Sequence, residues 1–149
     1  SKQHDELIAR LLKIKPTALI VKAKHSPLNF QNIFTSKIHQ LDEFKERKII
    51  AFSAIADPFS FEDNLEVLKL NTFKHLRFMD HHTYTDKDIY DITGCARLEN
   101  INILVTTHKD AVKIAGFQHL FKDFLVLKLN ISINFIESQE EFLERIISL

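Results

Sequence analysis

The sequence predicts an α/β fold: a mainly parallel sheet of about five strands with helices on both faces. Two observations carry that prediction. Short apolar runs rich in β-branched residues, such as "KIIAFSAI" and "INILVTT", alternate with segments of helical spacing along almost the whole chain. No repeat, low-complexity tract or linker rich in Gly, Ser or Pro interrupts the 149 residues. Together they describe a single domain over residues 1–149 built as a Rossmann-like three-layer sandwich.

Taken in order, "DELIARLLKI" places Leu7, Ile8, Leu11 and Leu12 at helical spacing and reads as a helix ended by Pro16. "TALIVKA" reads as a buried strand. "PLNFQNIFTSKIHQL" is mixed, a short strand and loop, and "DEFKER" is a polar turn or short helix. "KIIAFSAI" is the second buried strand. Pro58 suits the first turn of a helix whose inner face is Leu65, Val67 and Leu68. "FKHLRFM" is the third strand. Thr85 is a good N-cap with Asp88 three residues on, so a helix follows. "INILVTT" is the fourth strand, and "HKDAVKIA" a short helix ended by Gly116. "DFLVLKLN" is the fifth strand. Ser138 and Glu141 form a capping box for a final helix.

Composition narrows the function. Lys plus Arg and Asp plus Glu both count 20, so the net charge is zero and nothing favours a nucleic-acid backbone as partner. Gly94 and Gly116 are the only glycines. A Gly-rich phosphate cradle therefore cannot be written in this chain, and no cofactor-binding residue is assigned. Cys95 is the sole cysteine and cannot form an internal disulfide, which fits a reducing compartment. It reads as a small buried hydrophobe of its helix. No run is long enough to span a bilayer, and the opening "SKQHDEL" is charged, so the expected location is cytoplasmic. His4, His25, His39, His75 and His119 are scattered and read as surface or partly satisfied side chains, and the 13 Phe as core.

Ligands of parallel α/β sheets collect at the carboxyl ends of the strands. Three polar clusters fall there: Ser53 to Asp57, Asp80 to Thr85, and Thr106 to Lys113. In the second, Asp80-His81-His82 offers imidazoles that titrate near neutral pH beside a carboxylate that can fix a tautomer. The triplet can transfer protons, bind metal, or cap the strand end. "DHH" also occurs in a class of manganese phosphoesterases, where only Asp57 and Asp110 could supply further acids here. No metal ligand is assigned. In the third cluster, Asp110 suits a helix N-terminus, and Lys109 can bind a phosphate or pair with an acid on a neighbouring strand.

In order, "AFSAIADPFSF", "FMDHHTYT" and "LVTTHKDAVKI" resemble the carboxyl-terminal half of the tetraacyldisaccharide 4'-kinase (lipid A 4'-kinase) family. The family pattern runs A-F-[AS]-G-I-x-x-P, then F-x-D-H-x-x-[YF], then [LV]-x-T-x-K-D-A-V-K. "TALIVKAKHSPLNF" is similar to the strand before the first block, so the resemblance covers almost the whole chain. Ala54 stands where the family has glycine, and His108 where it has glutamate. The resemblance implies transfer of the γ-phosphate of ATP, with Mg, to the 4'-hydroxyl of tetraacyldisaccharide 1-phosphate in lipid A synthesis. The full-length enzyme would be peripheral to the cytoplasmic face of the inner membrane of Gram-negative bacteria, and the membrane surface a partner only through it. ATP and Mg would be held mainly by an amino-terminal P-loop domain absent from this chain, which is its expected partner. On that reading His81, paired with Asp80, is catalytic. His82, Thr107, Lys109 and Asp110 serve the substrate or the domain interface. The chain reads as a carboxyl-terminal part of the kinase, inactive alone. The alternatives left open are a metal-dependent phosphoesterase using Asp80-His81-His82 and a non-catalytic binding module.

Overall fold

The computed structural model describes residues 2–137 and 139–147. The elements are α1 (Lys2–Ile14), β1 (Lys22–Asn32), β2 (Ile38–His39), β3 (Lys48–Ser53), α2 (Pro58–Val67), β4 (Asn71–Arg77), α3 (Asp86–Leu98), β5 (Ile103–Thr107), α4 (His108–Ile114), β6 (Leu125–Glu137) and α5 (Gln139–Ile147). One 3₁₀ turn covers Leu41–Phe44 and another Ala115–Leu120. The chain divides into two compact units, one of residues 1–26 with 133–149 and one of residues 27–132.

The six strands form one sheet in the order β2-β1-β6-β5-β3-β4. The pairs β3–β4, β3–β5 and β5–β6 are parallel, and β1–β2 is antiparallel. The expected mainly parallel sheet is present, with a sixth strand in the two-residue β2.

In the larger unit β3 is buried on both faces, as its unbroken apolar run requires. Ile50 and Phe52 point into a cluster with Ile89, Ile92 and Ala96 of α3 and Ile114 of α4. Ile49 and Ala51 point the other way, onto Phe61 and Leu65 of α2 with Phe30 and Phe44. Helices thus cover both faces of the sheet. Each large side chain so buried contributes about 1.5–3 kcal/mol before entropy is counted.

α2 starts as expected, with Pro58 in its first turn and Asp57 capping Ser60. α3 carries the reciprocal Thr85–Asp88 capping box. In the smaller unit α1 ends at Ile14, before Pro16, and Phe135 of β6 packs on Phe142 of α5 with ring centroids 5.4 Å apart.

Four expectations need correction. Of "TALIVKA" only Lys22 and Ala23 are strand: β1 begins at Lys22 and runs through the polar "KAKHSPLNFQN". Pairing with neighbouring strands overrides local hydrophobicity there. Val67 is 73% exposed, and Phe61 takes the inner position beside Leu65. Gly116 does not stop α4, which passes into the 3₁₀ turn with no glycine at positive φ. β6 continues well past Asn130, to Glu137. The capping box expected from Ser138 and Glu141 lies outside the described residues and side chains.

Candidate functional site at the carboxyl edge of the sheet

β3 feeds α2 on one face, whereas β5 feeds α4 on the other. The chain therefore parts in opposite directions between the adjacent ends of β3 and β5, the place where open α/β sheets bind ligands. Asp110, fully buried in the first turn of α4, bridges that gap. Its Oδ2 accepts from the Ala54 amide (3.0 Å) and the Thr107 hydroxyl (2.7 Å). Its Oδ1 accepts from Lys113 Nζ at 3.0 Å, and the same ammonium reaches the Ala54 carbonyl at 3.3 Å. The expected clusters around Ala54 and Asp110 are thus one cross-strand bolt. Its lysine is Lys113, while Lys109 is exposed.

Tyr84, from the remaining cluster, is buried beside this bolt, with Lys113 Nζ 6.0 Å from its ring centre. Among the described residues its hydroxyl finds no hydrogen-bond partner. Burial first, and then the negative charge of Asp110, push the phenol well above its ordinary range.

The Asp80–His82 segment leaves β4 after Phe78, whose amide donates to the Ser53 carbonyl at 2.8 Å. His82 is held: its ring stacks on Phe78 (5.0 Å, 22°), and its Nε2 lies 3.1 Å from Asp88 Oδ2. The same Asp88 oxygen accepts from the Thr85 amide and hydroxyl, both at 2.7 Å. Burial works to raise the Asp88 carboxyl, but the Thr85 donors and His82 outweigh it and keep it below the usual carboxylate range.

His81 differs. Its side chain is 92% exposed, its backbone sits at φ 60°, and its Nε2 lies 3.6 Å from Asp80 Oδ2. Asp80 Oδ1 accepts from the His81 amide at 3.0 Å. An exposed imidazole with a carboxylate at its back can take or give a proton at a group brought to it from outside.

Among the described residues, no three His, Cys, Asp or Glu side chains stand together to hold a metal ion. The acids that a manganese site would need are engaged elsewhere: Asp57 caps α2, and Asp110 is closed into its bolt. The residues present do not fit the triphosphate or Mg either. Gly94 and Gly116 both lie within helical segments, so neither belongs to a phosphate-binding loop. His108, which stands where the resembled pattern has glutamate, is exposed and 3.5 Å from the Asn130 side chain.

Sequence reasoning missed one array. Ser53 Oγ lies 2.9 Å from His75 Nε2, His75 Nδ1 contacts Glu62, and Glu62 holds Arg77 through two nitrogens at 2.8 and 2.7 Å. The available signal was weak: His75 and Arg77 stand two apart on a strand and so share a face. Their partners on β3 and α2 follow no sequence spacing.

The sequence profile of the tetraacyldisaccharide-1-P 4'-kinase (LpxK) family matches residues 2–148. A tetraacyldisaccharide 4'-kinase of Desulfatibacillum aliphaticivorans is 31% identical over 133 residues, covering 84% of this chain and 36% of that protein. One from Elusimicrobium minutum is 36% identical over 126 residues, covering 83% of this chain and 32% of that protein. The crystal structure of Aquifex aeolicus LpxK in complex with ATP superposes with a TM-score of 0.58 at 25% identity, covering 92% of this chain and 39% of that one. The chain spans about a third of the length of the curated relatives it matches. The family match runs over nearly all of the residues that build the sheet and its carboxyl edge, and the chain belongs to the tetraacyldisaccharide-1-P 4'-kinase family.

Proposed function

We propose that this chain is the carboxyl-terminal part of an ATP-dependent kinase that phosphorylates the 4'-hydroxyl of tetraacyldisaccharide 1-phosphate. The observation that carries the reading is the family match over residues 2–148, a span in which the Asp80-His81 block presents His81 to solvent. Phosphoryl transfer needs a phosphate cradle, a metal ligand and a positioned acceptor. The first two do not fit the residues here, so ATP and Mg are assigned to the amino-terminal P-loop region of the intact kinase. When bound, they supply the phosphoryl group and neutralise its charge.

This chain supplies the remaining part. Asp80 turns toward the His81 ring, and His81 takes the acceptor proton or orients the acceptor hydroxyl. Thr107 and Asp110 keep the edge in shape behind it, Lys109 stands exposed for an anionic group, and His82 holds the loop. The membrane-facing location at the inner membrane of a Gram-negative cell belongs to the intact enzyme. No helix among the described residues is long and apolar enough to cross a membrane.

The test is ATP-dependent phosphorylation of tetraacyldisaccharide 1-phosphate by a kinase of full family length that carries this chain. His81→Ala should lower kcat by roughly 100- to 10,000-fold and leave the KM for ATP within about twofold. The purified chain alone should show no turnover, and turnover by it would refute the assignment of ATP to another region.

A further inference from the structure

We infer that Ser53, His75 and Glu62 are positioning residues, a hydroxyl–imidazole–carboxylate chain that fixes where the Asp80–His81 loop leaves the sheet. The inference rests on the reading of His81 as catalytic.

Ser53 is the last residue of β3 and stands opposite Arg77, the last residue of β4. Side chains in register on neighbouring strands share a face, here the α2 face. Ser53 bonds across to β4 and to the first loop residue beyond it. Its carbonyl accepts from the amide of Phe78, the first residue beyond β4. Its hydroxyl bonds His75 Nε2 at 2.9 Å. The far side of the ring bonds Glu62 of α2, and Glu62 in turn grips Arg77. A carboxylate at Nδ1 requires the proton there, and Nε2 pairs with the Ser53 hydroxyl, as acceptor in the neutral ring or donor in the imidazolium. Every member of the chain is thereby satisfied, and α2, β3 and β4 are locked at the residues just before the loop.

Those three chemical groups in that order are also the equipment of an activated nucleophile. Burial argues against that use. Ser53 is 1% exposed, and the His75 side chain 6%. The nearby groove of about 520 Å³ is lined by His75 and Glu62 but not by Ser53. No substrate carbonyl can reach the hydroxyl. What the chain can do is hold position. At the other end of the loop Asp88 gathers Thr85 and His82. His81 therefore hangs between two anchors while remaining solvent-facing itself, the arrangement a rigidly placed proton-transfer group needs.

The first measurement is amide hydrogen exchange and chemical shift by NMR in this chain. Ser53→Ala and His75→Gln each retain the Ser53 carbonyl, so the direct bond to the Phe78 amide is untouched. We expect the Phe78 amide to exchange about tenfold faster in each variant and the Asp80 and His81 amides to shift, with no further change in the double variant. Changes confined to positions 53 and 75 would overturn the inference. The second measurement is kcat in the full-length kinase. Ser53→Ala should reduce it on the order of 10- to 100-fold at constant KM for ATP, and cost nothing more in a His81→Ala background. A loss that persists in full without His81, or no loss, would overturn it. If His81→Ala alone leaves kcat intact, the functional reading fails, and the exchange data decide the positioning by themselves. Covalent labelling of Ser53 by a fluorophosphonate would replace positioning with nucleophilic chemistry.

Discussion

His82 stacks on Phe78 at 5.0 Å and meets Asp88 at 3.1 Å, whereas His81, one residue earlier, leaves 92% of its side chain to solvent. The two share a residue type and a loop, and each has an acid of its own, Asp80 beside His81 and Asp88 beside His82. Their backbones separate them: the φ of 60° at His81 swings its side chain off the face that His82 occupies. The pair teaches how one loop can hold a half-exposed histidine among partners and leave its neighbour open to solvent. Behind both lies Asp110, fully buried and satisfied by three donors, at the structural extreme of the same edge.

The comparison can be broken or sharpened by measuring stability along that series. Asp110→Ala should have the largest effect, about 3 kcal/mol or more by chemical denaturation. It strips the Ala54 amide, Thr107 and Lys113 of their common partner. Lys113 is 29% exposed and can turn to water, which holds the loss near the lower end of the range for broken buried pairs. A loss within 0.5 kcal/mol, about the effect of an ordinary surface change, would remove the bolt from the account.

His82→Ala should destabilise by about 1–2 kcal/mol through the lost ring stack and the Asp88 hydrogen bond. His81→Gly should go the other way. A left-handed backbone costs a non-glycine residue about 1 kcal/mol, and glycine relieves it, so the variant should melt at or above the parent temperature while losing catalysis. Were His81→Gly as destabilising as His82→Ala, the contrast between the two histidines would collapse.

The smallest effect is on acid stability. The Asp88 carboxyl is held below its ordinary 3.8, and Glu62 below 4.5, where the bonds from Arg77 and His75 outweigh a burial effect of opposite sign. A depressed folded value gives stability that is present above the ordinary value and lost as pH falls through the folded one. Melting temperature should therefore drop as pH is lowered below about 4.5, and Asp88→Asn should flatten the part of that drop below about 4. An unchanged slope would show that Asp88 does not carry it.

Much of the fold was legible because its signals are local. Pro58 in a first helical turn, the Thr85–Asp88 capping box and the apolar runs of β3 and β5 each specify their element within a few residues. β1 was misplaced because its strand is made by partners distant in sequence, on a segment with little apolar patterning of its own. The same division holds at the site. Asp80, His81, His82, Thr107 and Asp110 stand out as polar residues at strand ends. The Ser53–His75–Glu62 array does not, since it draws one residue from each of β3, β4 and α2 and exists only after the sheet has formed. Lys113 was passed over for Lys109 because one helical turn, not adjacency, brings a lysine back to Asp110.

The most direct test remains His81 in the intact kinase, assayed by steady-state transfer from ATP to tetraacyldisaccharide 1-phosphate. His81→Ala should fold with a melting temperature close to the parent's and lose roughly 100- to 10,000-fold in kcat at constant KM for ATP. Full kcat in a folded His81→Ala enzyme would contradict the account and leave this chain as a part of the kinase that supports the reaction by shape alone.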